Sequence, residues 1–500
     1  MEKISDRFKK SFGQLGFVFL LCLCFFSMDV FIEYATDTYA LFQNLNEVVD
    51  IMIRYNSRII VGVVFQLWYW SGIANETFYY ISYFIAIFML VAAVFLLQKI
   101  LRNMIKNEFL RIAMSFVTIA NVYIIEYFMF IEKGLFIFAI FFNVAAFFYM
   151  FHFFNDKRKR NCFLSFLCLA CAMFTYQGTV GLFVVLCLPF AYRSAVNLKV
   201  YIRNICYTMF VYGSACIVDY FVLTFIFGST KFKDSGLQSD DILANLVFAV
   251  KGLVQNTVFT CGILPKYVFI AFTCLVIIFS MIGIFVRSKE KIVYMQLLNL
   301  FIVFAGTAAV STSTIIMGSG WFAARVIYPY ASMFGIFLIN FYVNIFDDNY
   351  NTGNRFYKYV NVVMGCIVIF FLLIQNFQFH KITKDKYLTN YTDKYRCEII
   401  EESIHNYENK TNVKLQYISF YRDGQPDIQY DGLFHQGDLV VSSFVTDWSD
   451  LAAINYYSNK TYMRGEVNPK YQTYFSEKDW KVFSEEQLIF DGDTLHFCVY

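Results

Sequence analysis

The sequence predicts a polytopic α-helical membrane protein with helices lying on one membrane surface and a small C-terminal α+β domain. Three observations carry that reading. Of 500 residues, 58% are hydrophobic, 21% aromatic and only 16% charged, and the mean hydropathy is +0.50. That balance suits lipid, not a soluble enzyme. Apolar runs of about 20 residues, the length a span needs, recur through the first 380 residues. Basic residues, finally, collect in alternate connecting segments. The net charge of +3 is too small to argue for a nucleic-acid partner.

Runs 12–31, 77–98, 112–130, 135–154, 205–228, 267–286, 292–310, 326–346 and 359–379 each read as one span. The run 162–192 would be about 46 Å long as one helix, too long for a single crossing. Tyr176-Gln177-Gly178-Thr179 interrupts it, so 162–176 and 179–192 read as two short spans, for a total of eleven. The first run follows a basic start, but no small-residue cleavage site follows Phe31, so it reads as an uncleaved span. With the N-terminus cytoplasmic, the inner segments hold twenty Lys and Arg, including Lys157-Arg158-Lys159-Arg160, and the outer segments before the tail hold eight. Stretches 32–58, 131–134, 176–179, 229–266 and 311–325 then lie outside.

The first outer stretch, Glu33 to Arg58, is polar, with an amphipathic helix expected between Tyr39 and Ile53. Residues 59–74 are apolar but short. Trp68, Tyr69 and Trp70 suit a helix lying in the interface, and 241–260 reads as a second. Beyond residue 380 the chain turns polar and Tyr-rich. Alternation in Leu415–Tyr421 and Leu439–Val445 predicts strands, and 394–408 predicts a helix. The expected division is therefore a membrane domain, 1–380, and an extracytoplasmic domain, 381–500. Most of the thirteen cysteines sit in apolar runs as packing residues. None has metal-ligand spacing, and pairing of Cys397 with Cys498 in the tail is left open.

Candidate functional residues cluster on the outer side. Asp37, just outside the first span, suits a general base, a ligand for a divalent cation, or a cap for the helix that follows. Tyr39 sits beside it. Arg58 opens the interfacial helix, where a guanidinium fork grips phosphate or anchors the helix by snorkelling. Glu126 lies near the outer end of the third span, where it either faces a cavity or reaches water. Glu132 beside Lys133 reads as solvated. Tyr176 and Gln177 occupy an outer turn, positioned to hydrogen-bond a sugar or a helix end. Trp321 precedes Arg325, a cation at a span entrance that suits an anionic lipid head or a pyrophosphate. The sequence has no P-loop, Rossmann fingerprint or GxSxG element.

Taken in order over roughly residues 10–380, these motifs resemble the bacterial membrane glucosyltransferases of the Gtr type, which decorate O-antigen and other surface polysaccharides. Asp37-Thr38-Tyr39 follows the first span. Asn56-Ser57-Arg58-Ile59-Ile60 is similar to the family's Gly-Arg-Pro-Leu element. The Glu126–Glu132 region, the Tyr176-Gln177 turn and Trp321–Val326, similar to Pro-Arg-Val, complete the set. The chain departs from the family at Thr38, where many relatives have a second Asp, at Ser57 and Ile59 for Gly and Pro, at Ala324 for Pro, and at Glu132, where Asp is common.

The resemblance implies a GT-C architecture in a bacterial cytoplasmic membrane and a polyprenyl-phosphate-linked sugar, glucose by analogy, as donor. It also implies a growing surface glycan as acceptor and a donor synthase and a flippase as companions; no cofactor is expected, with a divalent metal left open. Asp37 would then be the base, with Arg58 and Arg325 on the donor phosphate and Tyr39, Glu126, Glu132, Tyr176, Gln177 and Trp321 shaping the pocket. The competing readings are a glycan polymerase and a lipid-linked-sugar flippase or transporter. Transporters commonly show internal repeats and polar groups at mid-membrane; here no repeat is visible and the polar residues gather on one face.

Overall fold

The computed structural model describes residues 2–228, 242–287, 290–316, 322–346, 355–422, 430, 433, 439–478, 480 and 483–499. Among these, seven helices are long and apolar enough to cross a membrane: Gly13–Val30, Asn75–Leu101, Lys133–Asp156, Leu198–Ile226, Val268–Val286, Val293–Thr312 and the apolar part of Lys358–Thr411. The other expected spans form shorter pieces. Residues 162–192 break at Tyr176, as the sequence suggests, into helices Lys159–Thr175 and Gly181–Arg193 with a short turn at Gln177–Thr179 between them.

The expected span 112–130 is not one helix. Glu108–Ile119 ends at Ala120, and a separate turn of helix covers Ile124–Phe128. Its counterpart 326–346 is likewise interrupted, with Tyr328–Ala331 and Met333–Asn340 meeting at Ser332. The two breaks face each other, and side chains take up the freed backbone groups. Asn121 Nδ2 donates to Tyr328 O (3.1 Å) and Ser332 Oγ (2.8 Å), Ser332 Oγ donates to Thr118 O (2.9 Å), and Gln375 Nε2 donates to Ala120 O (2.7 Å). Irregular backbone at this depth is tolerated only when enclosed by protein, and every residue from 110 to 134 is buried. Gly335 permits the close approach: a Cβ there would lie 2.7 Å from Thr118 Cα.

The expected amphipathic helix 39–53 is split into Thr36–Gln43 and Leu45–Asp50, with Asn44 between them capping the second. Expected interfacial helices at 59–74 and 241–260 correspond to Ile59–Ser71 and Ile242–Phe259.

A 57-residue helix, Arg355–Thr411, runs through residue 380 without a break. At 1.5 Å per residue it is about 86 Å long, far beyond the ~30 Å hydrocarbon core. Its last turns therefore serve the C-terminal region, where Cys397, Ile400 and Ile404 pack against Ile418, Leu495 and Phe497. The helix expected over 394–408 is the end of this rod. A four-stranded sheet lies beside it: β1 (Tyr417–Arg422), β2 (Met463–Arg464), β3 (Leu488–Asp491) and β4 (Thr494–Val499), in the order β2-β1-β4-β3, with β1 parallel to both neighbours.

Leu439–Val445 is not a strand. It wraps the fully buried Asp393 of the long helix, whose carboxylate accepts Ser442 Oγ, Ser443 N and Ser443 Oγ, each at 2.7 Å, and Tyr430 OH at 2.5 Å. Apolar alternation there reflects packing on either side of a carboxylate-binding turn. Cys397 and Cys498 pack in separate clusters and are not joined by a disulfide.

Candidate functional site

Helix Asp450–Ser458 of the C-terminal region packs on helix Thr36–Gln43 of the first loop. Tyr39 OH meets Tyr457 OH at 2.7 Å, and Asn390 brackets Tyr34, accepting from its N–H at 2.5 Å and donating to its carbonyl at 3.1 Å. This docking fixes the loop and brings Trp448 over it. Trp448 Nε1 donates to Asp37 Oδ1 at 3.0 Å.

Beneath Trp448 lies a cavity of about 450 Å³. Its walls include Asp37, Arg58, Glu132, Tyr176 and Arg325, which come from four segments far apart in sequence, together with the apolar Phe65, Phe130 and Phe136. Each polar group is placed by a local device. Ser57 adopts a left-handed conformation, φ 55°, held by Ser57 Oγ donating to the buried Asp219 Oδ1 at 2.5 Å. The chain reverses there, and Arg58 becomes the N-cap of helix Ile59–Ser71. Its guanidinium lies over the Tyr176 ring, 4.6 Å from the centroid. Arg58 Nε is buried and has no hydrogen-bond partner among the described residues. A buried donor left unmatched costs about 1–3 kcal/mol, so an acceptor entering this cavity gains by filling it.

Gln177 does not line the cavity. It donates to Asn56 O at 2.8 Å, tying the 176–179 turn to the segment that aims Arg58. Gly178 is required in that turn, because a Cβ would stand 2.8 Å from Arg325 O. Arg325 is held from two sides: its backbone N–H donates to Glu126 Oε2 at 2.6 Å, and Tyr127 OH donates to its carbonyl at 2.6 Å. Its guanidinium pairs with Glu126 Oε1 and lies 4.7 Å from the centre of the Phe130 ring. Much of the Arg325 charge is thus already compensated, whereas Arg58 presents an unfilled donor.

The expectation of a solvated Glu132-Lys133 pair fails, because both are buried. They also face apart. Glu132 lines the cavity, while Lys133 Nζ sits 3.8 Å from the centre of the Tyr79 ring. Glu132 is pushed up to about 7, first by burial and further by the charge of Asp37. Its own backbone N–H, Arg58 and Arg325 oppose the rise. Near neutral pH this carboxyl therefore exchanges its proton readily.

Tyr39 is fully buried between the two parts of the chain and is not among the cavity's lining residues. Glu126 stands behind Arg325, out of reach of water: its side chain is 2% exposed. Trp321 falls outside the described residues. Trp448 is the contribution of the C-terminal region to the site. Among the described residues no three His, Cys, Asp or Glu side chains group as metal ligands. Comparison of the chain with family models, with curated proteins and with solved structures returns no match.

Proposed function

We propose that this chain is an integral-membrane glycosyltransferase of the GT-C kind. In this reading it moves a sugar, glucose by resemblance, from a polyprenyl-phosphate donor to a hydroxyl of a surface glycan such as O-antigen, capsule or a teichoic-acid-like polymer. The observation that supports it most is one cavity gathering Asp37, Arg58, Glu132, Tyr176 and Arg325, with a buried guanidinium N–H that has no partner among the described residues.

Local geometry also supports the resemblance at Asn56-Ser57-Arg58-Ile59. Where the family has Gly, Ser57 has positive φ, a conformation glycine adopts at little cost. Where the family has Pro, Ile59 is the first residue of a helix, the position proline favours.

In the reaction, Asp37 accepts the acceptor hydroxyl proton as the hydroxyl oxygen attacks the anomeric carbon. The bond from that carbon to the phosphate oxygen breaks, and the lipid phosphate leaves with the electron pair. Arg58 stabilises the charge growing on it, with Arg325 as a weaker second cation. Tyr176 keeps the Arg58 plane in place.

The site is proposed to face outward. Helix Lys133–Asp156 has cavity residue Glu132 at one end and the basic run Lys157–Arg160 at the other. Basic residues favour the cytoplasmic side, so the cavity falls on the opposite side, where nucleotide sugars are absent and a lipid-borne donor is needed. Counting the shorter and broken helices as crossings gives eleven, with the C-terminal region outside the cell.

The test is radiolabelled sugar transfer in membranes, with and without a polyprenyl-phosphate sugar. Asp37→Asn should slow transfer by ~10²–10⁴ while donor binding persists. Near-normal turnover in the folded variant removes Asp37 from the chemistry, and lipid-linked sugar crossing the membrane without transfer overturns the reading.

A further inference from the structure

At the other end of helix Lys133–Asp156 lies a second and larger concavity, about 1030 Å³, between that helix, Lys159–Thr175 and Leu198–Phe221. It is asymmetric. One end carries Lys157, Lys159 and Arg203; the walls beyond are aromatic and include Phe163, Phe166 and Phe210.

The cations stand at the helix ends. Lys157 follows the last residue of one helix, in a left-handed conformation, and Lys159 opens the next. Lys157 Nζ is pinned to Asn204 Oδ1 at 3.0 Å and lies 5.5 Å from the Phe153 ring centre. Burial and the nearby Arg203 charge both hold its ammonium below the usual lysine range. Asp156, the adjacent carboxylate, is taken by Arg158 and Asn161. No hydrogen bond or ion pair engages the Lys159 or Arg203 side chain among the described residues. Like charges thus converge at this mouth without a lining carboxylate among the described residues.

The groove also has a length. Arg203 and the lining Ser214 are on one helix, about 16 Å apart along its axis at 1.5 Å per residue. That is close to half of the ~30 Å hydrocarbon core, one leaflet. Phe163 and Phe210 are 58% and 67% exposed along it, so they meet acyl chains and not water.

We infer that this groove is a binding site for an anionic glycerophospholipid, its phosphate held by Lys157, Lys159 and Arg203 and one acyl chain lying along Phe163, Phe166 and Phe210. Charge complementarity selects the headgroup, and the leaflet-deep aromatic channel selects a diacyl lipid over a free phosphate. The inference requires only that these helices sit in a bilayer and does not depend on the transferase reading.

The experiment is native mass spectrometry of the full chain in mild detergent with equal phosphatidylglycerol and phosphatidylcholine. Phosphatidylglycerol should be retained at least ten-fold in preference. In the double variant Lys159→Gln/Arg203→Gln its retention should fall roughly 25-fold, from about five-fold per basic group, with phosphatidylcholine retention unchanged. The two substituted side chains are exposed, and an unaltered melting curve in phosphatidylcholine micelles verifies folding. Equal retention of both lipids by the unmodified chain overturns the inference, as does a double variant that keeps its preference. Displacement of the lipid by millimolar inorganic phosphate shows a phosphate site without an acyl groove, and preferential retention of polyprenyl phosphate shows the wrong occupant. Either result also overturns it.

Discussion

Replacing Glu132 by Gln tests whether the cavity perturbs its carboxyl as its surroundings require. In the folded chain Glu132 is pushed from an ordinary 4.5 to about 7, whereas the unfolded chain leaves it near 4.5. Folding is therefore favoured by protonation of this residue. Its contribution is fully present below pH 4.5 and is lost as pH rises through about 7. At about 1.4 kcal/mol per pH unit, the loss amounts to about 3 kcal/mol. Gln fills nearly the same volume and never ionises. Glu132→Gln should then match the unmodified chain at pH 4.5 and exceed it by about 3 kcal/mol at pH 8. Equilibrium unfolding in detergent micelles at the two pH values measures this. Two companions fix the sign of the neighbours: Asp37→Asn should move the transition to lower pH by removing a negative charge, and Arg58→Gln should move it higher. A stability difference that stays flat between pH 4.5 and 8 refutes the reasoning and implies that water reaches Glu132 freely.

Three further expectations follow from the same geometry. Glu126→Ala leaves the largely enclosed Arg325 guanidinium, 12% exposed, without its carboxylate, and thermodynamic unfolding should show a loss of up to about 3–5 kcal/mol, most of it recovered by adding Arg325→Leu. Arg58→Ala should weaken donor binding as well as slow transfer, with Arg58→Lys restoring only part because the ammonium lacks the planar fork; unchanged donor affinity in a binding titration removes Arg58 from the phosphate. Reporter fusions after residues 160 and 380 should read cytoplasmic and extracytoplasmic respectively, and a cytoplasmic signal at 380 sinks the outward-facing site.

Composition and apolar run length by themselves determined the membrane class and the positions of the long helices, because burial in lipid demands continuous apolar residues and leaves a strong local signal. The break at Tyr176–Thr179 and the helix after Arg58 were legible for the same reason: length and punctuation are local properties. Asp37, Arg58, Glu132, Tyr176 and Arg325 were likewise visible as polar residues at the ends of apolar runs. What joined them was not. Whether Arg325 faces the cavity free or neutralised depends on Glu126, 199 positions away, and hydrophobic periodicity carries no record of such a partner.

Burial of Glu132 was hidden because its neighbour Lys133 turns to the opposite side, where it meets Tyr79. The interrupted backbone at 120–123 was hidden too, since the side chains that compensate it, Gln375 and Ser332, lie elsewhere in the chain. In Leu439–Val445 the alternation that suggests a strand arises from wrapping Asp393. Only the tertiary structure could place Trp448 on Asp37, because that contact depends on a helix about 86 Å long which leaves the membrane and folds the tail back over the first loop.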